Sequence, residues 1–216
     1  MNKIRSIVQS PMLQQLDLPN VLTLTGLILS FLSVIFSIQG QFYMALLCIM
    51  YAGIIDLFDG FIARQMQRSG LQSEVGKQLD SIVDLCSFGF APAIFAYCFG
   101  LRDLLSLTVL IGYLGMNALR LAYFNSTGLS ADAGNQYFTG LPVTYAALFI
   151  PLTMTVSFVL SDSVMRIVLD GLYLLLAIAM ISSFKVLKLR GVWYGVFSLG
   201  AIGLTGVYFW FIITGQ

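Results

Sequence analysis

The chain has 216 residues, 58% of them hydrophobic and only 10% charged, with a net charge of +1. A soluble domain carries about 25% charged residues, so this composition excludes an ordinary soluble globule, and the near-neutral balance offers no basic surface for nucleic acid. The absence of histidine excludes Ser-His-Asp and Cys-His triads and histidine-based metal sites, which leaves carboxylates, arginines, hydroxyls and backbone groups for any chemistry.

In chain order, residues 1–18 are mildly amphipathic and lack the apolar block and cleavage site of a signal peptide, so they read as a short interfacial helix. From 20 to 213 the chain is a series of apolar stretches. A membrane-crossing helix needs about 20 such residues. Candidate spans cover 20–38, 42–63, 78–99, 103–124, 138–159, 164–184 and 191–213. The expected fold is all-α, a polytopic membrane bundle of six to seven transmembrane helices forming one domain over 1–216. Whether the last stretch crosses decides the side of the C-terminus. Cys48, Cys86 and Cys98 lie in apolar stretches without metal-ligand spacing and read as packed core thiols.

Basic residues orient the bundle. With the N-terminus in the cytoplasm, alternating spans put Lys3, Arg5, Arg64, Arg68, Lys77, Arg120, Lys185, Lys188 and Arg190 inside, and Arg102 and Arg166 outside. That is a strong positive-inside bias. It places the two polar connections, 64–77 and 125–137, on the cytoplasmic side.

The second and third stretches carry acids where acids are costly. Asp56 and Asp59 are spaced i, i+3, and Asp80 and Asp84 are spaced i, i+4, so each pair shares a helix face. Antiparallel packing of the two helices would bring four carboxylates to similar depth. Four such charges repel unless protons or cations neutralise them. Hard divalent cations with oxygen ligands are the natural answer, and a two-metal cluster at a water–membrane boundary suits phosphoryl chemistry. Gly60 removes a side chain beside Asp59, Gly76 does so at the loop–helix junction, and Arg64, one turn after Gly60, can reach back toward a phosphate. The plainer alternative is that the acids pair with Arg64, Arg68 and Lys77 and solvate a helix end.

Asn20 and Thr23 by themselves read as a helix cap and a local hydroxyl bond. Several other polar residues have two readings each. Ser81 and Ser87 bond their own backbone or touch substrate. Arg120 is a snorkelling anchor or an anion clamp, and Asn125 is a helix cap or a substrate contact. Asp170 pairs with a neighbouring hydroxyl or lines an interface.

The run DLFDGFIAR followed by GKQLDSIVD resembles the signature D-x-x-D-G-x-x-A-R … G-x-x-x-D-x-x-x-D of the CDP-alcohol phosphatidyltransferases. Asp56, Asp59, Gly60, Ala63, Arg64, Gly76, Asp80 and Asp84 fill its fixed positions. The gap between Arg64 and Gly76 is longer than is usual in that family. Three further runs, LDSIVDLCSFGFAPA (79–93), NALRLAYFN (117–125) and YFTGLPVTYAA (137–147), are similar to the phosphatidylserine synthase branch. Tyr123 and Thr144 depart from it, standing where an arginine and a proline are usual. The resemblance spans roughly 20–150.

It implies an enzyme that moves the phosphatidyl group of CDP-diacylglycerol to the hydroxyl of L-serine and releases CMP. Asp56, Asp59, Asp80 and Asp84 would bind two divalent cations, Mg2+ or Mn2+, with Asp84 as general base. Asn20, Thr23, Gly60, Ala63, Arg64, Ser73 and Gly76 would belong to the CDP-lipid site, and Arg120, Asn125 and Ser81 to the acceptor site. The family usually forms homodimers. A bacterial plasma membrane, with the active site facing the cytoplasm, is the simplest home. The alternatives are the same chemistry on glycerol 3-phosphate or inositol phosphate, an archaeal-type ether-lipid donor, and an ion transporter. Against the last, the acids cluster at one membrane face and the halves show no internal repeat.

Overall fold

The computed structural model describes residues 10–132, 135–188 and 191–214. Residues 1–9 of the expected interfacial helix lie outside these. Within its remainder, Leu13–Gln15 form a single 3-10 turn.

The first helix, α1 (Leu18–Ile38), starts where Asp17 accepts the Asn20 N–H at 3.1 Å and Pro19 occupies the first turn. Next comes α2 (Phe42–Ala63), packed along α1. Helix α3 (Gly70–Asp84) begins at a capping box, with Ser69 and Gln72 exchanging side-chain and backbone bonds. The helix therefore starts well before the expected 78, and the longer stretch between Arg64 and Gly76 is largely absorbed as helix rather than loop.

Past Asp84 the helix widens into one π turn, Leu85–Phe90, then resumes as α4 (Ala91–Phe99). Pro92 follows this turn within the apolar span. Having no N–H, it leaves the Phe88 carbonyl without its helical donor. The Tyr113 hydroxyl and the Asn117 amide, the latter at 3.0 Å, donate to that oxygen instead. The Tyr173 hydroxyl donates to the Pro92 carbonyl at 2.6 Å. These bonds satisfy backbone that lipid cannot, and tie the span to α5 (Leu104–Thr127) and α7 (Asp162–Ile181). At the start of α5, the Ser106 hydroxyl lies 2.6 Å from Asp103 Oδ2 and 2.9 Å from Asp170 Oδ2. The Ser106 hydrogen bond holds the Asp103 carboxyl below its ordinary range, and Asp170 thus has the neighbouring hydroxyl that its position in an apolar span calls for.

The expected span 138–159 is shorter than the sequence suggested. Its first residues join a small antiparallel sheet, ordered β1 (Ser130–Asp132), β2 (Asn135–Thr139) and β3 (Lys185–Leu187), with Phe138 opposite Val186. The polar connections at this end satisfy their backbone groups by pairing with one another. The helix that follows, with α6 (Ala146–Met154) at its centre, covers only Val143–Phe158 and contains Pro151. After the sheet comes α8 (Val192–Thr214). Among the described residues six helical segments are long and apolar enough to cross a membrane, with this shorter apolar one beside them, so the chain is built as an integral membrane protein. Leu46, Ile49, Phe88, Phe95, Tyr113, Ile150 and Tyr173 are fully buried in its core, while Ile28, Phe31, Ile111, Ile167 and Leu199 face outward. The three cysteines are free and only partly buried.

One glycine is indispensable to the sheet's attachment. Gly140 has φ +70°, and a Cβ there would overlap the Met180 carbonyl oxygen. Gly140→Ala is therefore expected to cost about 2 kcal/mol or more, read as a lowered melting temperature of the purified protein.

Candidate active site

The ends of α2, α3 and α5 meet the sheet and α8 around a cavity of about 380 Å³. One part of its wall is polar, formed by Asp56, Asp59, Asp80, Asp84, Arg120 and their neighbours. The other is apolar, with Met50, Ile54, Leu148, Phe197, Ala201 and Leu204. Such a space matches a molecule with a charged head and a hydrocarbon body.

Helical spacing does what it promised for the acids. Asp56, Asp80 and Asp84 each present a carboxylate oxygen, all within 4.8 Å of one another. Asp59 lines the same cavity, 4% exposed, and accepts a hydrogen bond from the Thr23 hydroxyl at 2.6 Å. It stands beside the triplet rather than in it. Ser87 is buried behind the acids, bordering a small void with Thr23, Asp56, Asp59 and Asp84.

The hydrogen bonds of the nearby cations go elsewhere. Arg68 pairs with Asp17 at 2.6 Å and donates to Asn20 Oδ1 at 2.7 Å. Lys77 donates to the Asn125 carbonyl at 3.1 Å, and Arg64 to the Tyr194 hydroxyl at 3.0 Å. Simple pairing of the acids with Arg64, Arg68 and Lys77 is thus not the arrangement adopted. Hard carboxylate oxygens crowded in this way fit a divalent cation such as Mg2+ or Mn2+.

Arg120 is the cation that does sit inside. It is 7% exposed, and its Nε and one terminal nitrogen are buried without a hydrogen-bond partner among the described residues. Its guanidinium lies 5.1 Å from the Phe124 ring centroid and 5.6 Å from that of Phe138. The two rings support it while leaving N–H donors unused, so it is packed inside the protein and does not reach out as a snorkelling anchor would. Tyr123, by contrast, is exposed and does not line the cavity.

The remaining expected residues divide. Gly60, Arg64, Ser81 and Asn125 line the cavity. Asn125 donates to the Ser81 hydroxyl at 2.7 Å, which joins α5 to α3 at the polar wall. Thr23 does not line the cavity but hydrogen-bonds Asp59 and borders the small void behind the acids. Asn20, Ala63, Ser73 and Gly76 are not among the lining residues. Asn20 donates to the Gln15 carbonyl at 2.8 Å, and the α1 cap is Asp17 instead. A Cβ on Gly76 would come within 2.6 Å of Asn20 Oδ1 and 2.5 Å of an Arg68 nitrogen. This glycine makes room for the Asp17–Arg68–Asn20 knot that fixes α3 against α1. Ser73 is exposed.

Sequence reasoning missed Phe138, Lys188, Tyr194 and Phe197, all of which line the cavity. Phe138 lies within the run 137–147, but nothing there marks it as a site residue, while Lys188, Tyr194 and Phe197 lie beyond every motif, and no spacing rule marks them. The basic residues also sort by end. Arg64, Lys77, Arg120 and Lys188 line the cavity, while Arg166 lies against Gly100, two residues before Arg102 in the chain.

The profile of the family "CDP-alcohol phosphatidyltransferase" matches residues 16–182. The chain is 32% identical over 176 residues to the archaetidylserine synthase of Methanothermobacter thermautotrophicus, covering 81% of this chain and 71% of that one. It is 30% identical over 137 residues to the CDP-diacylglycerol–serine O-phosphatidyltransferase of Helicobacter pylori, covering 62% and 55% respectively. It is 29% identical over 133 residues to the protein of the same name from Bacillus subtilis, covering 61% and 71%.

Proposed function

The chain belongs to the CDP-alcohol phosphatidyltransferase family, and from this premise we propose that it transfers the phosphatidyl group of CDP-diacylglycerol to the hydroxyl of L-serine, giving phosphatidylserine and CMP. The observation that carries the reading is the convergence of Asp56, Asp80 and Asp84 with a buried, unsaturated Arg120 in one amphipathic cavity. The serine-specific names of the relatives in three organisms support the choice of acceptor.

In this reading Asp56, Asp59, Asp80 and Asp84 hold two divalent cations. When bound, these would screen the charge of the donor's diphosphate and of the departing CMP. Asp84 takes the proton of the serine hydroxyl as that oxygen forms its bond to the phosphorus bearing diacylglycerol, and the bond from that phosphorus to the CMP oxygen breaks. Thr23 holds the Asp59 carboxylate in place. Arg120, braced against Phe124 and Phe138, meets an anionic group of the acceptor or donor. Gly60 and Arg64 face the nucleotide diphosphate. The apolar wall takes the lipid body, so the donor arrives from the bilayer and serine from water.

The grouping of cavity cations at one end supports a cytoplasmic-facing site under the positive-inside rule. A bacterial plasma membrane, a single domain over the chain and a homodimer belong to the same proposal. The similarity to an archaetidylserine synthase gives weight to a second reading of the donor alone, an ether-linked CDP-lipid, because an apolar wall grips ester and ether tails alike.

The test is CMP release by purified protein. CDP-diacylglycerol and its ether counterpart are each offered with serine, glycerol 3-phosphate or inositol 1-phosphate. Serine-dependent release is expected, and release with another alcohol alone overturns the acceptor. Removal of divalent cations with a chelator is expected to suppress turnover by at least about 100-fold, with recovery on adding Mg2+ or Mn2+. Undiminished turnover in chelator sinks the metal reading.

A further inference from the structure

Helix α8 lies beyond residue 182, where the family match ends, yet it forms part of the cavity wall through Tyr194, Phe197, Ala201 and Leu204. Tyr194 stands in its first turn. The ring packs on Phe58 and Phe61 of α2, at centroid separations of 6.2 and 5.4 Å. Its hydroxyl accepts a hydrogen bond from Arg64 at 3.0 Å. The other terminal nitrogen of Arg64 lies 3.6 Å from the place a Gly60 Cβ would occupy. The guanidinium therefore runs between Gly60 and Tyr194, along the wall it shares with the acids.

We infer that Tyr194 is a positioning residue for the donor: it holds the Arg64 guanidinium beside Gly60, where it meets the diphosphate of the CDP-linked lipid. This rests on the donor proposed above. An arginine at a helix end is exposed and loses much rotamer freedom when it is fixed. A carboxylate could fix it, but would cancel the charge that a phosphate needs. A phenol oxygen fixes it by one hydrogen bond and leaves both the charge and the other N–H donors for the ligand. Below Tyr194 the same helix presents Phe197, Ala201 and Leu204 to the cavity, so the position of the donor's head and the wall for its body come from one element. The plain alternative is that the hydroxyl only docks α8 onto α2.

Tyr194→Phe separates the two, since it keeps the ring on Phe58 and Phe61 and removes the hydroxyl alone. In the full-length protein, the KM for CDP-diacylglycerol is expected to rise about fivefold, while kcat and the KM for serine move less than twofold and the melting temperature without ligand stays the same. Added to Arg64→Met, the same change is expected to cause no further loss of donor affinity, because the group it positions is already gone. An unchanged donor KM, or equal losses with and without Arg64, overturns the inference. So does a fall in melting temperature with no donor effect. Donor binding is also read with no acceptor present, as the rise in melting temperature on adding CDP-diacylglycerol. If the wild-type chain turns over no serine, the acceptor reading fails. Tyr194 is then still judged by whether Tyr194→Phe needs about fivefold more donor for the same rise.

Discussion

Asp84→Asn is expected to lower CMP release by about 1,000-fold or more in a protein that still folds. The substitution keeps shape and volume at a buried position and removes one charge. Asp84 shares its surroundings with Asp56 and Asp80 inside 4.8 Å, so in metal-free protein the loss of a negative charge relieves repulsion. The metal-free variant should therefore melt no lower than the wild type. Adding Mg2+ or Mn2+ should raise the wild-type melting temperature, because a cation held only by the folded state stabilises it by linkage, and the variant should lose most of that rise. Activity above about one-tenth of wild type, where a general base supplies about 100-fold at least, removes Asp84 from its role. An unaltered metal-induced rise removes it from the ligand set.

Arg120 carries the second large effect. Arg120→Lys is expected to reduce kcat/KM for serine by about 10- to 100-fold, and Arg120→Met by more. A lysine keeps the charge but offers a compact point donor. It cannot lay a flat cation against Phe124 and Phe138, whose centroids stand 5.1 and 5.6 Å from the guanidinium carbon, and it cannot present two parallel N–H groups from separate nitrogens. If Arg120 meets the acceptor, the KM for serine rises more than the KM for the donor. If both rise equally, it belongs to the diphosphate site. If lysine substitutes fully, the guanidinium geometry is irrelevant and only the charge matters. Phe138 comes from β2, so the sheet is part of this clamp. Gly140→Ala, which disturbs the junction after that strand, should weaken serine handling as well as stability.

The spans and the acids were legible in the sequence because each rests on a local rule. Apolar stretches long enough to cross a bilayer have few alternatives to helix, since lipid leaves no partner for an open backbone. Spacings of three and four residues then place Asp56 with Asp59, and Asp80 with Asp84, on single faces whatever the rest of the chain does. The membrane-spanning bundle and the inward aspartates follow from that alone, and the D-G-x-x-A-R pattern added the family.

Tertiary structure decided what depends on partners distant in the chain. Gly76 looked like a ligand approach but makes room for Arg68 and Asn20, because Asp17, far away in sequence, draws Arg68 to α1. Residues 135–139 became a strand because Lys185–Leu187 lie alongside to accept their backbone pairing, and this shortened the fifth apolar helix. Arg120 could have snorkelled; the rings of Phe124 and Phe138, one nearby and one from the sheet, hold it in the cavity instead. Tyr194 joined the site because α8 folds back along α2. Helical periodicity governs which side chains share a face. Which of those faces meet is set by packing between segments, a choice made by the whole chain at once.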